Sequence, residues 1–326
     1  MNILLISQQR TKRLSPPFSK ENSIFSSSQI LYPASVGYHH WILRPQKEPQ
    51  KYLDAELRLP KLNEIHSYLW LAGLPKPTRP LHRQRLMNRV ICLTEVPDEH
   101  MVWHESRIFI KPIPEYLLNY NYWEKELCAD EDLHKCACGL LLSYSWLIGR
   151  KSDFHIAKDT GILPEEIDWP TWTDFMNEFL NQINPYTLHQ VNKRYEYGEL
   201  RLARLNSLYR FSPSNFSVRN LVFGFMSRST WYRAFFERNF TWLLAVLVYV
   251  TVLLSAMQVG LATGKLQENE QFQRVAYGVA VGSMVGFASI VVIILSVWIG
   301  LFCYHLFSTI QYSKYVRMER GKIDEW

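Results

Sequence analysis

Two long uncharged apolar runs occupy the last third of the chain, at 241–263 and 275–307. At about 1.5 Å per residue, the first run is long enough to cross a hydrocarbon core of about 30 Å as a helix. The second run is longer than one crossing requires, so we expect it to tilt or to continue as a helix beyond the bilayer near residues 303–307. The pattern therefore predicts a C-terminal transmembrane hairpin with a polar loop at 264–274.

Small residues recur at every fourth position of both apolar runs. They are Ala256, Gly260 and Gly264 in the first run and Gly278, Gly282 and Gly286 in the second. The two sets are symmetric about residue 271, so an antiparallel hairpin would bring them to matched depths. Because small side chains let helix backbones approach closely, we predict that these residues pack helices together, within one chain or between chains. The matched depth favours packing within one chain.

Gln258 is the one strongly hydrogen-bonding side chain deep in the first run. Polar groups in membrane helices usually face a partner rather than lipid. We therefore expect Gln258 to bond across a helix interface or to line a pore in an oligomer.

Residues 52–211 combine helix-like and strand-like patterns and are long enough to form a soluble domain. We predict strands at 89–94 and 107–111, and helices at 62–71, 115–127, 133–148, 171–180, 186–193 and 199–211. The expected fold class is a mainly α soluble domain with a small β component (α+β), followed by the two-helix transmembrane hairpin.

The segments that flank the soluble domain differ from it in composition. Residues 1–51 are rich in Ser and Pro, which predicts a disordered tail. The Ser-Pro-Ser-Asn run at 212–215 predicts a hinge, and residues 308–326 form a C-terminal tail. Residues 212–240 mix aromatic and basic side chains, which suits the headgroup zone of a bilayer. The basic residues near the membrane are Arg228, Arg233 and Arg238.

The formal net charge of +6 fits a protein beside an anionic membrane leaflet at least as well as a nucleic-acid-binding protein. No dense Lys/Arg block favours nucleic acid, so we expect the bilayer, a cytosolic protein and a second copy of the chain as partners. Lys and Arg are more numerous outside the hairpin than in its loop, and residues 3–6 are too short an apolar stretch for a signal peptide. We expect both termini in the cytosol, on a membrane that the sequence does not identify.

The five cysteines do not form a disulfide framework, because their number is odd and Cys303 lies in the second apolar run. His134, Cys136 and Cys138 are residue types that bind zinc, and Cys128 lies nearby. Positions two apart on a helix do not share a face, so these side chains cannot all reach one ion. We expect buried thiols, and neither a metal nor a cofactor.

Candidate catalytic residues are few. His100 and His104 could share one face of a helix, but Met101 stands where the zinc-protease pattern has glutamate. The sequence contains no Gly-x-Ser-x-Gly elbow and no paired carboxylates at a persuasive spacing. We therefore expect no catalytic residue.

The densest basic stretch contains Arg79, Arg83, Arg85 and Arg89. Such a cluster could hold the phosphate of a lipid headgroup or of a nucleotide. It could also form a solvated or salt-bridged face, and no Gly-rich phosphate loop accompanies it. Both interpretations are open.

Several phrases between residues 66 and 316 carry a resemblance to a known family. They are Arg79-Pro80-Leu81-His82, Ile108-Phe109-Ile110-Lys111-Pro112, Leu140-Leu141-Leu142-Ser143-Tyr144, Tyr197-Gly198-Glu199-Leu200-Arg201-Leu202 with Arg204-Leu205-Asn206, and Leu254-Ser255-Ala256-Met257-Gln258-Val259-Gly260-Leu261-Ala262-Thr263. These phrases resemble a family of uncharacterised fungal membrane proteins that is defined by a domain of unknown function. The resemblance implies a fungal protein with two membrane spans, and it implies no activity.

The layout also resembles that of CorA-type magnesium channels, which have a large cytosolic N-terminal domain and two C-terminal spans. Their Gly-Met-Asn signature is missing, because residues 260–264 read Gly-Leu-Ala-Thr-Gly. We therefore expect a membrane-anchored binding or scaffold protein with a cytosolic domain. The alternatives are a subunit of an oligomeric ion channel or transporter, and a membrane-anchored enzyme.

Overall fold

A computed structural model describes residues 14–26, 32–38, 41–184, 187–211, 220, 224–226, 230–263 and 269–323. The chain divides into unit 1, Met1–Met226, and unit 2, Ser227–Trp326. Unit 1 is mainly helical with a small β part, and unit 2 contains two long apolar helices. The predicted fold class is therefore confirmed.

The described part of unit 1 contains short strands and a larger share of helices. The strands are β1 (Val36–Tyr38), β2 (Trp41–Leu43), β3 (Val90–Leu93), β4 (Val102–His104), β5 (Arg107–Ile110) and β6 (Leu200–Arg201). The helices are α1 (Pro49–Leu57), α2 (Pro60–Glu64), α3 (Leu81–Leu86), α4 (Tyr120–Tyr122), α5 (Glu131–Leu147), α6 (Lys151–Asp159), α7 (Trp169–Gln182) and α8 (Leu202–Phe211). Short 3-10 helices cover His66–Leu71, Pro97–Glu99, Glu115–Leu118 and Lys193–Glu196, and a π-helical turn covers Trp123–Leu127.

The larger sheet has the strand order β3-β5-β4-β6. β5 pairs parallel with β3 and antiparallel with β4, and β6 adds to β4 in parallel. The two predicted strands, at 89–94 and 107–111, correspond to β3 and β5. The sequence did not reveal β4 and β6, because strands of two or three residues are too short to show an alternating pattern.

The central element of unit 1 is α5, which the sequence predicted at 133–148. Its N-cap is Asp130, whose side chain accepts hydrogen bonds from the backbone N–H groups of Asp132 and Leu133. Most of the residues of α5 are buried. Gly139 lies directly against the ring of Tyr195, where a Cβ would overlap the ring, so the close packing of α5 requires glycine at this position.

Predicted helices 62–71 and 199–211 are interrupted, the first by the change from α2 to a 3-10 helix and the second by β6 at its start. Two further predicted helices are wrong in detail, each at an asparagine. Residues 187–192 form turns rather than a helix, and the Asn192 side chain accepts from Arg194 N–H to start the 3-10 helix Lys193–Glu196. The predicted helix 115–127 is broken at Asn119, whose backbone is extended and whose side chain caps Tyr122 N–H. In both places a side-chain amide competes for backbone hydrogen bonds that a continuous helix needs.

The Ser/Pro-rich composition predicted a disordered tail at 1–51, and for the described part of that range the prediction is wrong. Residues 14–26 pack against unit 1, where Phe18 and Phe25 are buried. β1, β2 and the start of α1 follow before residue 51. Residues 1–13 lie outside the described residues.

Unit 2 contains α9 (Thr230–Leu261) and α10 (Glu270–Ile323). The stretches Leu244–Leu261 and Glu270–Ser296 are long and apolar enough to cross a membrane, so they fit a membrane-anchored protein. α10 continues as a helix well past residue 307. Tilting of the second run, or its emergence from a bilayer near residues 303–307, stays a prediction. The predicted hinge at 212–215 and residues 264–268 of the loop lie outside the described residues.

Candidate functional site

The predicted anion-binding stretch folds around a carboxylate of unit 1 itself. Glu199 has a side chain that is only 8% exposed, and its Oε2 lies 2.6 Å from Arg79 Nη2 and 2.7 Å from Arg89 Nη1. Gln84 Nε2 donates to Glu199 Oε1 at 2.8 Å. Burial would raise the pKa of Glu199, but the hydrogen bonds from Arg79, Arg89 and Gln84 outweigh it and lower the pKa to about 2. The salt-bridged interpretation therefore replaces external anion binding for Arg79 and Arg89.

The other arginines of this stretch, Arg83 and Arg85, have different surroundings. Arg83 and Arg85 are exposed on α3, and neither forms an ion pair within the described part of the chain. Headgroup or anion contact by Arg83 and Arg85 stays a prediction. The same holds for Arg228, Arg233 and Arg238, whose side chains lie outside the described residues.

The candidate histidines lie in separate surroundings. His82 Nδ1 lies 2.8 Å from Asp153 Oδ1, and the same oxygen accepts from His82 N–H at 2.7 Å. This carboxylate joins α3 to α6. His104 lies at the end of β4, paired with Arg107 of β5, so His100 and His104 do not share a helix face as the sequence allowed.

His100 and Ser143 form a buried pair with the residue types of a base and a nucleophile. Lys111 N–H donates to His100 Nδ1 at 3.0 Å, so the proton of the neutral ring is on Nε2, which donates to Ser143 Oγ at 2.7 Å. Ser143 Oγ in turn donates to the Leu140 carbonyl at 2.5 Å. Burial, together with the nearby charges of Arg194 and Lys111, lowers the pKa of His100. The ring cannot accept the serine proton in this arrangement, so the pair joins α5 to the loop before β4 and does not activate a nucleophile.

The predicted group of His134, Cys136 and Cys138 is divided between two sides of α5. Cys138 Sγ lies 3.6 Å from His134 Nδ1, whereas Cys136 Sγ accepts from Asn192 Nδ2 at 3.5 Å. Burial raises the pKa of Cys136 to about 12 and also raises the pKa of Cys138. These thiols are therefore neutral. Among the described residues no three His, Cys, Asp or Glu side chains are placed to hold a metal ion.

In unit 2, α9 and α10 contact each other along a seam of partly covered residues. The residues of this seam are Val250, Leu254, Met257, Gly260 and Leu261 in α9, and Phe272, Ala276, Val279, Ala280 and Ser283 in α10. Apart from the adjacent turns of α10 itself, the described residues place no atom within 4 Å of a Cβ added at Gly278, Gly282 or Gly286.

Gly278, Gly282 and Gly286 therefore do not pack against α9 as the sequence favoured, although Gly260 of α9 lies in the seam. Ala276 and Ala280 occupy the seam, and the glycines two positions further along α10 lie on another side of the helix. In α9, Ala256 and Gln258 are exposed, and Gly264 lies outside the described residues. Packing of these residues between chains stays a prediction.

The most elaborate surface of unit 1 is one that the sequence did not predict. It holds residues 14–26, and we call it the segment groove. Its lining residues are Leu118, Asn119, Tyr120, Trp123, His134, Phe175 and Glu178.

An aromatic pocket forms the centre of the segment groove. Phe18 inserts into it, and its ring centroid lies 4.7 Å from that of Phe175, 6.1 Å from Trp123 and 6.3 Å from Tyr120, all in edge-to-face geometry. The Trp123 Nε1–H group donates to the Leu117 carbonyl at 2.8 Å, which fixes the ring that forms the base of the pocket. Such aromatic contacts add to the free energy of burying Phe18.

Polar contacts hold the segment on both sides of Phe18. Glu178 accepts from Ser19 N–H at 2.7 Å and from Ser19 Oγ–H at 3.1 Å, and it also accepts from the Asn22 side chain. His134 Nε2 donates to the Ser15 carbonyl at 3.0 Å. The segment groove therefore binds main-chain groups as well as one aromatic side chain.

At the C-terminal end of the segment, Ile24 and Phe25 also bind to the segment groove through their main chain. Ile24 N–H and Phe25 N–H donate to the Leu118 carbonyl, at 3.0 and 3.3 Å. Asn119 Nδ2 donates to the Phe25 carbonyl at 2.6 Å, and Tyr120 N–H donates to Ser23 Oγ at 3.0 Å.

A cavity of about 280 Å³ lies at the Leu14 end of the segment. It lies between residues 14–17, α5 and the turns after α7, and its polar lining includes Lys135 and His189. The cavity thus adjoins the Leu14 end of the segment groove.

The sequence contained one signal for this site. Phe18 and Phe25 are large apolar residues in a segment that is otherwise rich in Ser and Pro, and buried aromatic anchors in such a segment indicate docking rather than disorder. The lining residues come from three separate stretches, so their convergence could not be read from spacing.

The family model described as "Family of unknown function (DUF6601)" matches residues 49–287. No curated protein and no solved structure matches the chain. The matched range contains α1 to α9 and the first part of α10, and it leaves out residues 14–26. The expected membership of a family defined by a domain of unknown function is confirmed, while fungal origin stays a prediction. The chain belongs to the family of unknown function DUF6601.

Proposed function

We propose that this protein is a membrane-anchored binding protein whose unit 1 binds a peptide in the segment groove. The observation that carries the proposal is the way in which residues 14–26 are held. Glu178, His134 and Asn119 contact main-chain groups of the segment, and a single aromatic pocket takes Phe18. Main-chain contacts with pockets for selected side chains are a general mode of peptide recognition.

The ligand class follows from the occupant of the groove. It is a peptide with an aromatic residue at the position of Phe18 and a small hydrogen-bonding residue at the position of Ser19, followed by a turn in which Ser23 N–H donates to the Lys20 carbonyl. A segment tethered to its own site has an effective concentration of about millimolar, so a partner peptide has to compete with residues 14–26. The partner is a protein at the same membrane surface, and the charge distribution around the apolar runs supports a cytosolic location for unit 1.

A peptide-exchange experiment tests this proposal. The full chain in mild detergent is mixed with a fluorescently labelled peptide of residues 14–26, and binding is measured by anisotropy. In the Phe18→Ala chain the tethered segment loses its buried anchor, so we expect the labelled peptide to bind at least about tenfold more tightly than to the unaltered chain. A labelled peptide that itself carries Phe18→Ala should not bind.

The matched control is Lys20→Ala, because Lys20 lies in the same segment but is exposed. This chain should bind the peptide as weakly as the unaltered one. Adding Glu178→Ala to the Phe18→Ala chain should weaken peptide binding again. Failure of the peptide to bind a folded Phe18→Ala chain would refute the proposal, with folding checked by near-ultraviolet circular dichroism.

A membrane oligomer is a second candidate, and the open glycines of α10 favour it. Beyond their own helix, no atom of the described residues lies within 4 Å of a Cβ built at Gly278, Gly282 or Gly286, and Gln258 of α9 is exposed. Close helix packing between chains would use both features. A channel would further require Gln258 and Ser255 to face a shared axis. Mass measurement in mild detergent tests this candidate, and a monomer would oppose it.

A further inference from the structure

Unit 1 presents a group of exposed apolar side chains that its own fold does not use. Within seven residues, Tyr68 is 36% exposed, Trp70 60%, Leu71 38% and Leu74 62%. They lie on the 3-10 helix His66–Leu71 and on the loop that follows it. We call these four residues the aromatic edge.

The backbone below the aromatic edge is firmly attached to unit 1. Leu69 on the opposite side of the 3-10 helix is fully buried. Arg204 Nη1 donates to the Leu71 carbonyl at 3.0 Å, and Arg201 N–H donates to the Ala72 carbonyl at 2.9 Å. Gly73 packs against the Glu199 carbonyl so closely that a Cβ would not fit. The backbone of the aromatic edge is therefore held in place, while its apolar side chains are exposed to solvent. This arrangement is typical of an interaction surface.

Cationic side chains border the aromatic edge. Lys76 follows it in sequence, and the guanidinium group of Arg204 contacts its backbone. Both side chains are exposed. Glu196 lies at the other end of the 3-10 helix, 4.0 Å from His66. The side of the edge that contains Leu71 and Leu74 thus has two cationic neighbours.

We propose that the aromatic edge inserts into the interfacial region of an anionic phospholipid bilayer. Trp70 and Tyr68 have the amphipathic rings that concentrate at headgroup level, while Leu71 and Leu74 supply purely apolar surface. The basic border complements anionic headgroups. Because α9 and α10 are apolar enough to cross a membrane, a bilayer is also a surface to which this chain would be anchored. The proposal does not depend on the segment groove, which uses none of these residues.

Photochemical labelling tests the insertion directly. The full chain is reconstituted into vesicles that contain anionic phospholipid with a photoactivatable group high in the acyl chain, and labelled peptides are mapped by mass spectrometry. We expect lipid adducts within residues 68–76. Adducts within Leu244–Leu261 serve as the positive control, and Ile42 and Leu180, which are also exposed, serve as negative controls.

Variants then establish which side chains are responsible. Trp70→Glu combined with Leu74→Glu should lower the adduct yield at 68–76 at least about tenfold, because charged side chains avoid the apolar zone. Leu180→Glu, an exposed apolar position on α7, should leave that yield unchanged. Labelling of α9 without labelling of 68–76 would overturn the proposal.

Discussion

Glu199 illustrates how one residue can change the meaning of a sequence motif. The arginine-rich stretch 79–89 has the composition of an anion site, and its anion is a carboxylate about 110 residues further along the chain. Arg89 also stacks on Trp103, with its guanidinium carbon 4.3 Å from the ring centroid. Charge, hydrogen bonds and an aromatic contact thus combine to fix α3 against β4 and β6.

The first prediction concerns the stability that Glu199 contributes. Its folded-state pKa of about 2 lies below the ordinary value of 4.5, so its stabilisation is present above about pH 4.5 and is lost as the pH falls toward 2. Glu199→Gln should destabilise unit 1 by about 3 kcal/mol at pH 7, because two arginines lose their buried partner. It should also reduce the loss of stability between pH 5 and pH 3. Thermal unfolding in detergent measures both effects.

Glu196→Gln is the matched control, since Glu196 is a nearby carboxylate whose side chain is 47% exposed. This substitution should change the midpoint of unfolding little at either pH. An unaltered acid sensitivity in the Glu199→Gln chain would show that other carboxylates dominate.

At the scale of elements, the glycine stripe of α10 makes a second prediction. A leucine at position 282 meets open space within one chain, so Gly282→Leu should fold and insert normally. If the stripe packs chains together, the substitution should reduce the measured mass in mild detergent from an oligomer to a monomer.

Ala288→Leu provides the control for this experiment. Ala288 is also a small, exposed residue of α10, but it lies about 120° around the helix from Gly282. It should leave the mass unchanged. An oligomer that persists in the Gly282→Leu chain would exclude the stripe as its interface.

The elements that could be predicted are those whose stability is local. α5 has a clear N-cap and a long apolar face, β5 is a continuous apolar strand, and the two membrane helices follow from length and hydropathy alone. The segment groove depends instead on contacts between residues about 95 to 160 positions apart, as in Ser23–Leu118 and Ser19–Glu178. The composition of residues 14–26 carries no information about residues far away in the sequence. It therefore could not predict that Phe18 binds in a pocket.

At the scale of the whole molecule, the predicted orientation can be tested by protease protection. With both termini in the cytosol, protease added outside sealed right-side-out vesicles should leave unit 1 intact, and detergent should make it sensitive. Asn239-Phe240-Thr241 matches the glycosylation sequon and should remain unmodified in this orientation. Digestion of unit 1 without detergent, or glycosylation at Asn239, would require the opposite orientation.

The docking of residues 14–26 has a practical consequence for the choice of expression boundaries. A fragment that covers only the range of the family match would begin at residue 49 and would lack Phe18. The Phe18 pocket would then be open to water, and Phe175 and Trp123 would form an exposed apolar surface that favours aggregation. It would also end at residue 287, inside the helix α10. Poor solubility of such a fragment would reflect these cuts rather than an unstable domain. A fragment of unit 1 that begins before Leu14 and ends after Met226 keeps the buried aromatic residues at both of its ends covered.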